Sequence, residues 1–158
     1  AETDMGPLIS AAQWESVSSF LDGDAEVAIR GSIPDGPGFW FPPTVLWPVP
    51  LDHRAVVDEI FGPVAVIVPF DDEADAIRIA NDTIYGLSGS VWTRDGAKGL
   101  RVARALESGN LSINSNSSVR VTTPFGGFKQ SGYGRELGPH ATDAYTEVKT
   151  IFYNTEGN

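Results

Sequence analysis

An acidic and an aromatic side chain stand two positions apart in residues 58–63, just before an apolar run. In extended backbone, residues two apart project to the same side, so Glu59 and Phe61 can present a carboxylate and a ring to one target. A carboxylate accepts hydrogen bonds from neighbouring sugar hydroxyls, and a ring offers a flat apolar surface to a heterocycle. The alternative places Phe61 in the core with Glu59 as a local cap, and the residues alone favour that alternative.

Small polar side chains follow a predicted strand in residues 114–119. Ligands of open α/β sheets collect beyond the carboxyl ends of strands, so this segment is a candidate pocket lining. The alternative is ordinary turn chemistry, in which Ser and Asn side chains bond to nearby backbone. On the residues alone, the turn is the better interpretation.

The most distinctive stretch is residues 124–136, which contain four glycines and three aromatic residues. Each glycine costs about 1 kcal/mol of helix propensity and packs nothing in a strand, so this stretch is predicted to be a shaped loop. Long ordered loops in compact domains are usually functional. Backbone that folds around aromatic rings and ends on Arg135 and Glu136 is typical of a pocket lining or a subunit contact.

The sequence lacks the common self-contained catalytic motifs. It has no cysteine, which excludes a thiolate nucleophile or thiolate metal ligands within these residues. His53 and His140 lie far apart without the spacing of a metal site, so we expect no metal. Residues 86–90 fall short of a nucleophile elbow, because Ser90 stands where glycine is needed. On the residues alone, the chain is not a complete enzyme.

The elements that must position these residues begin with one helix and two extended segments. Ser10 and Gln13 form a capping box, and an apolar helical face follows, which predicts a helix over residues 11–21. Residues 25–30 alternate as a short strand, and residues 44–47 are predicted to be extended after a Pro- and Gly-rich loop.

The next part of the chain alternates strands and helices. Residues 64–68 form a continuous apolar run, typical of a strand covered on both faces, and Asp71 or Asp72 then caps a helix. The further predicted elements are that helix through Ala80, strand 87–92, helix 96–107 and strand 111–113. This alternation with short connections predicts an α/β fold with a parallel sheet and helical cover. Residues 144–153 are predicted as a terminal edge strand without a partner.

Composition and charge restrict the class of protein. With 158 residues and 41% hydrophobic content, the chain is long enough for one domain with an apolar core. Its net charge of -10 repels phosphate backbones and anionic lipid, so we expect neither nucleic acid nor a membrane as partner. There is no run of about 20 apolar residues and no signal peptide, and the missing initiator Met favours a piece of a longer polypeptide.

Five blocks of sequence resemble the carboxyl-terminal part of the NAD(P)-dependent aldehyde dehydrogenases. The start near Met5 is also similar to the family's segment shortly after its catalytic cysteine. The five blocks are residues 59–63, 81–87, 109–114, 124–136 and 145–149. The resemblance implies the end of a catalytic domain over residues 1–143, followed by an oligomerisation strand and tail over residues 144–158.

The resemblance implies oxidation of an aldehyde to a carboxylic acid, with NAD or NADP as cofactor. In the family, a cysteine forms a thiohemiacetal with the aldehyde, hydride passes to the nicotinamide, and water hydrolyses the resulting thioester. The nucleophile and the coenzyme-binding domain belong to parts of the family's polypeptide that this sequence lacks. We therefore expect the isolated chain to be inactive, and we expect its parent to be a cytoplasmic homo-oligomer that takes a small aldehyde.

Two residues then resemble coenzyme contacts of the family. Glu59 is similar to the glutamate that accepts hydrogen bonds from the nicotinamide ribose, and Phe61 to the aromatic residue that holds the nicotinamide end. The resemblance reverses the preference for a core Phe61. Positioning the nicotinamide matters because hydride transfer tolerates little misplacement.

Four residues resemble contacts with the aldehyde. Phe125 is similar to an aromatic residue that lines the aldehyde tunnel. Ser115, Asn116 and Val119 correspond to a variable loop that faces the substrate. Betaine or amino aldehydes and simple aliphatic aldehydes both remain open as substrates.

Three further residues resemble a proton relay and a subunit contact. Glu136 matches an acid considered as a proton relay near the thioester step, and the alternative is a structural carboxylate bonded to backbone. Arg135 and Glu147 are similar to a pair near the subunit contact, where an ion pair would tie the loop to the terminal strand. A different class of function stays open as well: a naturally short binding or assembly module that is not catalytic.

Overall fold

The computed structural model describes residues 5–117 and 119–157. The chain divides into two compact units, with the boundary between Pro69 and Phe70. Each unit has its own sheet. Within the described ranges, no helix is long and apolar enough to cross a membrane. The division into residues 1–143 and 144–158 stays a prediction.

The first unit opens with the predicted helix. Helix α1 (Ala11–Ser18) continues as a 3-10 helix (Ser19–Leu21), which confirms the helix expected over residues 11–21. The Gln13 amide donates to Ser10 Oγ at 3.1 Å, so the helix begins with the predicted cap. The helix packs inward through Val17, which is fully buried.

The sheet of the first unit has three strands. They are β1 (Val27–Arg30), β2 (Thr44–Leu46) and β3 (Val64–Val66). Strand β2 lies in the middle, antiparallel to β1 and parallel to β3. The short helix α2 (Arg54–Val57) lies between β2 and β3 in the sequence. The hydrophobic core of the unit is formed by Phe20, Leu46 and Ala55.

The run over residues 64–68 was expected to be a strand covered on both faces, and this expectation is wrong. The strand ends at Val66, and Ala65 is exposed. Val64 and Val66 pack against the core cluster, whereas Ile67 beyond the strand is 50% exposed. Only one face of β3, that of Val64 and Val66, is covered within this unit, as their contacts with the core and the exposure of Ala65 show.

The second unit contains the predicted alternation of helices and strands. Its elements are α3 (Glu73–Asn81), β4 (Ser88–Val91), α4 (Gly96–Ala105) and β5 (Asn110–Ile113). Strands β4 and β5 are parallel, with Ser88 opposite Asn110. Asp72 and Asp95 cap the two helices by accepting hydrogen bonds from backbone N–H groups. The α/β class with parallel strands and helical cover is confirmed.

Two details of the predicted topology differ from the structure. Strand β3 pairs with β2 rather than with β4, so the expected run of parallel strands is divided between two sheets. The predicted strand over residues 144–153 is not formed: Ala141–Tyr145 is a 3-10 helix, and residues 146–157 contain no strand. A strand forms when its backbone hydrogen-bonds to a neighbouring strand. In the described part of this chain, no strand pairs with these residues.

Candidate active site

The turn that carries Glu59 and Phe61 is seated on the core of the first unit. Ile60, between them, packs against the cluster of Phe20, Leu46 and Ala55. Glu59 is exposed, and Phe61 is 73% exposed. The alternative that placed Phe61 in the core is therefore wrong, because the aliphatic residue beside it takes that place.

The backbone at Phe61 is left-handed, with φ of 50°. The expectation of extended backbone at this residue is therefore wrong. A non-glycine residue in this region costs about 1–3 kcal/mol and persists only when its surroundings hold it. Here the Gln13 Nε2 group donates to the Phe61 carbonyl at 3.0 Å. An exposed ring is thus presented from a backbone that helix α1 holds in place.

The residue after Phe61 lies against helix α1 without room for a side chain. A Cβ atom on Gly62 would lie 2.5 Å from Val17 Cγ2. Real Cβ atoms do not approach so closely, so glycine is required for the turn to reach the helix. Gln13 therefore bonds to the Phe61 carbonyl and Val17 packs against Gly62, so helix α1 contacts both residues joined by this peptide bond.

The loop over residues 124–136 closes on itself through backbone pairing. The Phe125 and Glu136 amides each donate to the other residue's carbonyl, both at 2.7 Å. A short 3-10 helix, Lys129–Ser131, lies inside the loop. The stretch is thus the shaped loop that its glycines predicted.

This loop encloses a cleft of about 490 Å3, which we call the Phe125 cleft. The side chains that line it include Leu87, Phe125, Arg135, Glu136, Ala144 and Tyr145. Phe125 and Glu136 therefore border one space, because the backbone pairing holds their two positions together. The arrangement can receive a small molecule with an apolar part and a group that exchanges a proton.

Asn110 supports the loop from strand β5. Asn110 is buried, with 6% of its surface exposed. Its Nδ2 group donates to the carbonyls of Leu87 at 2.9 Å and Gly126 at 2.8 Å. The preceding Gly109 allows this approach, since a Cβ atom there would clash with the Gly126 carbonyl oxygen. The sequence analysis assigned no role to Asn110. The feature that could have identified it is a glycine followed by an amide side chain at the start of a predicted strand.

Arg135 is bonded within the loop. Its Nη1 group donates to the carbonyls of Gly127 at 3.1 Å and Gly134 at 2.6 Å, and its guanidinium lies 5.3 Å from the centre of the Phe128 ring. Among the described residues of this single chain, the ion pairs do not include one between Arg135 and Glu147. Glu147 is exposed. A pairing of the two across subunits stays a prediction.

The polar segment after β5 has the bonding of a turn. The Ser112 hydroxyl donates to the Ser115 carbonyl, and Ser115 Oγ accepts from the Ser117 amide at 3.1 Å. Asn116 is exposed and Val119 is 51% exposed, while Ser118 lies outside the described residues. Neither Asn116 nor Val119 nor Ser115 lines the Phe125 cleft. Their contact with a substrate stays a prediction.

Among the residues that the structure describes, the clear pKa shifts lie on the helices of the second unit. A hydrogen bond from Arg101 lowers the pKa of Glu73, and the backbone amide of Lys98 lowers the pKa of Asp95 at its helix cap. Both carboxylates stabilise helix positions rather than line the Phe125 cleft. Over residues 5–117 and 119–157, no group of three or more potential ligands could hold a metal ion.

The family follows from comparison with known proteins. A model of the aldehyde dehydrogenase family matches residues 1–151. The chain belongs to the aldehyde dehydrogenase family. Its blocks at residues 59–63 and 124–136, which hold Phe61 and Phe125, are thus those of a family member, as the resemblance implied.

The relatives support this assignment along nearly the whole chain. Betaine aldehyde dehydrogenase of Bacillus subtilis is 42% identical over 99% of this chain and 34% of its own length. Aldehyde dehydrogenase [NAD(P)+] 1 of Saccharomyces cerevisiae is 40% identical over 95% of this chain and 31% of its own length. The chain therefore spans about one third of the length of the curated relatives it matches.

A crystal structure of a betaine aldehyde dehydrogenase variant from Staphylococcus aureus has the same fold over this region. It superposes with a TM-score of 0.92 at 39% identity, covering 100% of this chain and 33% of the other. The agreement includes the α/β architecture described above. The fold of this aldehyde dehydrogenase segment is therefore that of the family.

Proposed function

We propose that this chain is part of an enzyme that oxidises an aldehyde to a carboxylic acid with NAD or NADP. Family membership supports the reaction, and the names of the relatives support the coenzyme and the aldehyde. The sequence contains no cysteine, so the thiohemiacetal and the thioester form on a cysteine outside these residues. The isolated chain is inactive in this proposal.

The observation that carries the proposal is the exposed Phe61 ring on a turn held in the left-handed region. In the proposal, Phe61 holds the nicotinamide and Glu59 accepts hydrogen bonds from the ribose hydroxyls. The residues fit this task, since one offers an exposed ring and the other an exposed carboxylate, with Ile60 fixed between them. When bound, the coenzyme supplies the hydride acceptor, and these two residues orient it.

The aldehyde lies against the second unit in this proposal. Phe125 packs on its apolar part, and Glu136, on the same cleft, relays a proton during hydrolysis. Ser115, Asn116 and Val119 adjust the choice of aldehyde from a neighbouring turn. The B. subtilis and S. aureus relatives support a betaine or amino aldehyde, and simple aliphatic aldehydes are the competing substrates.

The parent enzyme is a cytoplasmic homo-oligomer in this proposal. The end of the chain supports assembly, because Val148, Ile151 and Phe152 are between 79% and 99% exposed. Residues 144–158 would form a strand on a second copy, with Arg135 and Glu147 beside that contact. Sedimentation of the parent with and without Phe152→Ser tests this part, and an unchanged oligomer contradicts it.

The isolated chain gives the first test. Incubated with NAD or NADP and a panel of betaine, amino and aliphatic aldehydes, it should form no reduced coenzyme. The second test joins this chain to the part of the B. subtilis relative that precedes the matched third. This chimera should oxidise aldehydes, whereas a chimera that is folded by circular dichroism and still inactive would overturn the proposal.

Two substitutions in the chimera test the coenzyme residues. Glu59→Gln and Phe61→Leu should slow hydride transfer by about 10- to 100-fold, since misplacing reacting groups by a fraction of a bond length is costly. An isotope effect on kcat with deuterated aldehyde shows whether that step has become slow. The matched controls are Glu15→Gln and Phe70→Leu, at exposed positions elsewhere. Equal rates for Glu59→Gln and Glu15→Gln would make Glu59 structural.

A further inference from the structure

We propose that the ammonium group of Lys129 is a positioning group that fixes the 124–136 loop, and with it Phe125 and Glu136, on the ends of helices α3 and α4. The inference rests on the proposed function only where Phe125 and Glu136 act on a substrate. The anchoring itself is a property of this chain. We call Lys129 with its three acceptors the Lys129 anchor.

The Lys129 ammonium group makes two hydrogen bonds to backbone carbonyls and one ion pair. Lys129 Nζ lies 2.7 Å from the Asn81 carbonyl, 3.1 Å from the Thr83 carbonyl and 2.7 Å from Glu107 Oε2. An ammonium group has three N–H donors and no acceptor. Two of these donors bond to the Asn81 and Thr83 carbonyls, and the charge is paired with the Glu107 carboxylate. Hydrogen bonds from a charged donor are also stronger than those between neutral groups.

The site of attachment is itself held by hydrogen bonds. Asn81 is the last residue of α3, where the helix dipole favours a cation, and its carbonyl also accepts from the Thr83 amide at 2.9 Å. The Asn81 side chain joins the two helix ends, since Nδ2 donates to Ala105 O at 2.9 Å and Oδ1 accepts from the Glu107 amide at 2.9 Å. The lysine therefore binds where α3 and α4 are already held together.

Among the ion pairs of the described ranges, this one has the least exposed base, while its acid, Glu107, is 56% exposed. The Lys129 side chain is 25% exposed, whereas the basic members of the other pairs are 57% to 79% exposed. Exposed ion pairs contribute little because water screens them. Lys129 combines lower exposure with two carbonyl acceptors, so its effect extends beyond that of a surface pair.

The backbone gives independent support. Lys129 has a φ of 51°, in the left-handed region that favours glycine. The loop contains four glycines, yet this left-handed position carries a lysine. Glycine would relieve this backbone but has no side chain, whereas Lys129 supplies the two hydrogen bonds and the ion pair of the anchor.

The neighbours of Lys129 make matching backbone contacts. The Phe128 amide donates to Gly86 O at 2.8 Å, and the Gln130 amide donates to Ile84 O at 2.9 Å. These two hydrogen bonds lie on either side of Lys129 in the sequence. Loss of the anchor should therefore weaken both of them and make residues 128–130 more mobile. The two ends of the same loop are joined by the backbone pairing of Phe125 and Glu136. A change at Lys129 is therefore expected to alter the positions of these two residues at the Phe125 cleft.

Amide hydrogen exchange of the complete chain, followed by NMR, tests the inference. Lys129→Met keeps the aliphatic stem and removes the charge. It should accelerate exchange of the Phe128 and Gln130 amides about tenfold or more, and of the Phe125 and Glu136 amides in the same direction. The Gly99 amide, within α4, should keep its rate.

Three further variants make the result decisive. Lys129→Gly relieves the backbone but removes the amine, so it should also accelerate loop exchange. Lys129→Arg should restore much of the protection. Lys149→Met, an equal charge change at an exposed position, should leave the loop rates unchanged.

Each contrary result overturns the inference. Unchanged or slower loop exchange in Lys129→Gly would show that the amine does not hold the loop. Acceleration at Phe128 and Gln130 without change at Phe125 and Glu136 would confine Lys129 to its own turn. Equal acceleration at Gly99 would make the residue part of global stability. None of these results depends on coenzyme or aldehyde, so failure of the proposed function would be seen separately.

Discussion

Phe61 and Phe125 are each presented to solvent or to a cleft, but different forces hold them. The turn of Phe61 is seated by Ile60 on an apolar core and by Gly62 on a fully buried valine. Phe125 is held by paired backbone amides and by a loop that Asn110 supports through hydrogen bonds. The Phe61 ring is therefore positioned mainly by packing, with one hydrogen bond from Gln13 to the Phe61 carbonyl, whereas Phe125 is positioned mainly by directional polar bonds.

The difference predicts which substitutions disturb each ring. Packing is non-directional and depends on volume, so the Phe61 turn should respond to cavities and to added atoms. Hydrogen bonds depend on donors and acceptors, so the Phe125 loop should respond when one partner is removed without a change in volume. Three experiments test this contrast, and a fourth tests a polar contact elsewhere in the second unit.

The largest expected effect is a cavity beneath the Phe61 turn. Leu46 is fully buried in the cluster against which Ile60 packs. Leu46→Ala should lower the free energy of unfolding by about 2–5 kcal/mol, measured by urea denaturation. Leu51→Ala, at a leucine that is 48% exposed, is the matched control and should cost much less. Equal losses in the two variants would remove packing as the force that seats the turn.

An added methyl group at the Phe61 turn should have the next largest effect. Gly62→Ala brings Cβ to 2.5 Å from Val17 Cγ2, and over-packing of this kind costs about 1–3 kcal/mol. Val17→Ala in the same chain makes room, so the double variant should be more stable than the sum of the single losses predicts. Additive losses in this double-mutant cycle would mean that the close approach is unimportant.

A change of donors without a change of volume should disturb the Phe125 loop. Asn110→Asp removes the Nδ2 donor and leaves the Leu87 and Gly126 carbonyls without it, at an expected cost of about 1–2 kcal/mol. Exchange of the Phe125 and Glu136 amides should accelerate. Asn116→Asp, with the same charge change at an exposed residue, is the control. If both variants behave alike, charge rather than the lost donor explains the result.

The smallest effect is a pH dependence between helices α3 and α4. Arg101 bonds to both carboxylate oxygens of Glu73, at 2.6 and 2.7 Å, and holds the pKa of Glu73 below its ordinary value of 4.5. A carboxylate with a lowered folded-state pKa contributes stability that is present above the ordinary pKa and is lost as the pH falls through the lowered one.

Glu73→Gln should therefore reduce the loss of stability on acidification, measured as urea midpoints between about pH 7 and about pH 3. The effect should be small, because Arg101 is exposed and water screens the pair. Glu15→Gln, at an exposed glutamate of α1, serves as the control. A pH profile of Glu73→Gln identical to that of the parent chain would show that this pair does not bridge the helices in solution.

Local signals in the sequence were enough for much of the secondary structure. Ser10 correctly predicted the start of α1. The sequence offered Asp71 or Asp72 as the cap of α3, and the structure shows that Asp72 is the cap. The glycines of residues 124–136 predicted a loop because glycine disfavours helix and strand. Such signals act over a few residues, and they could be judged without knowledge of the fold.

The contacts that hold the candidate site join residues far apart in the chain. Asn110 bonds to a carbonyl 16 positions away, and Lys129 to one 48 positions away. Gln13 bonds to Phe61 across 48 positions as well. No local pattern identifies such partners, because loops and helices decide which distant carbonyls lie within reach.

Residue types and short-range order thus identify the family, most helices and the glycine-rich loop of this aldehyde dehydrogenase segment. Three matters depend on the three-dimensional fold: the exposure of Phe61, the division of the strands between two sheets, and the absence of a strand over residues 144–153. Burial and strand pairing are relations between distant parts of a chain. Whether an apolar run is buried, exposed or paired as a strand therefore depends on which other segment lies beside it.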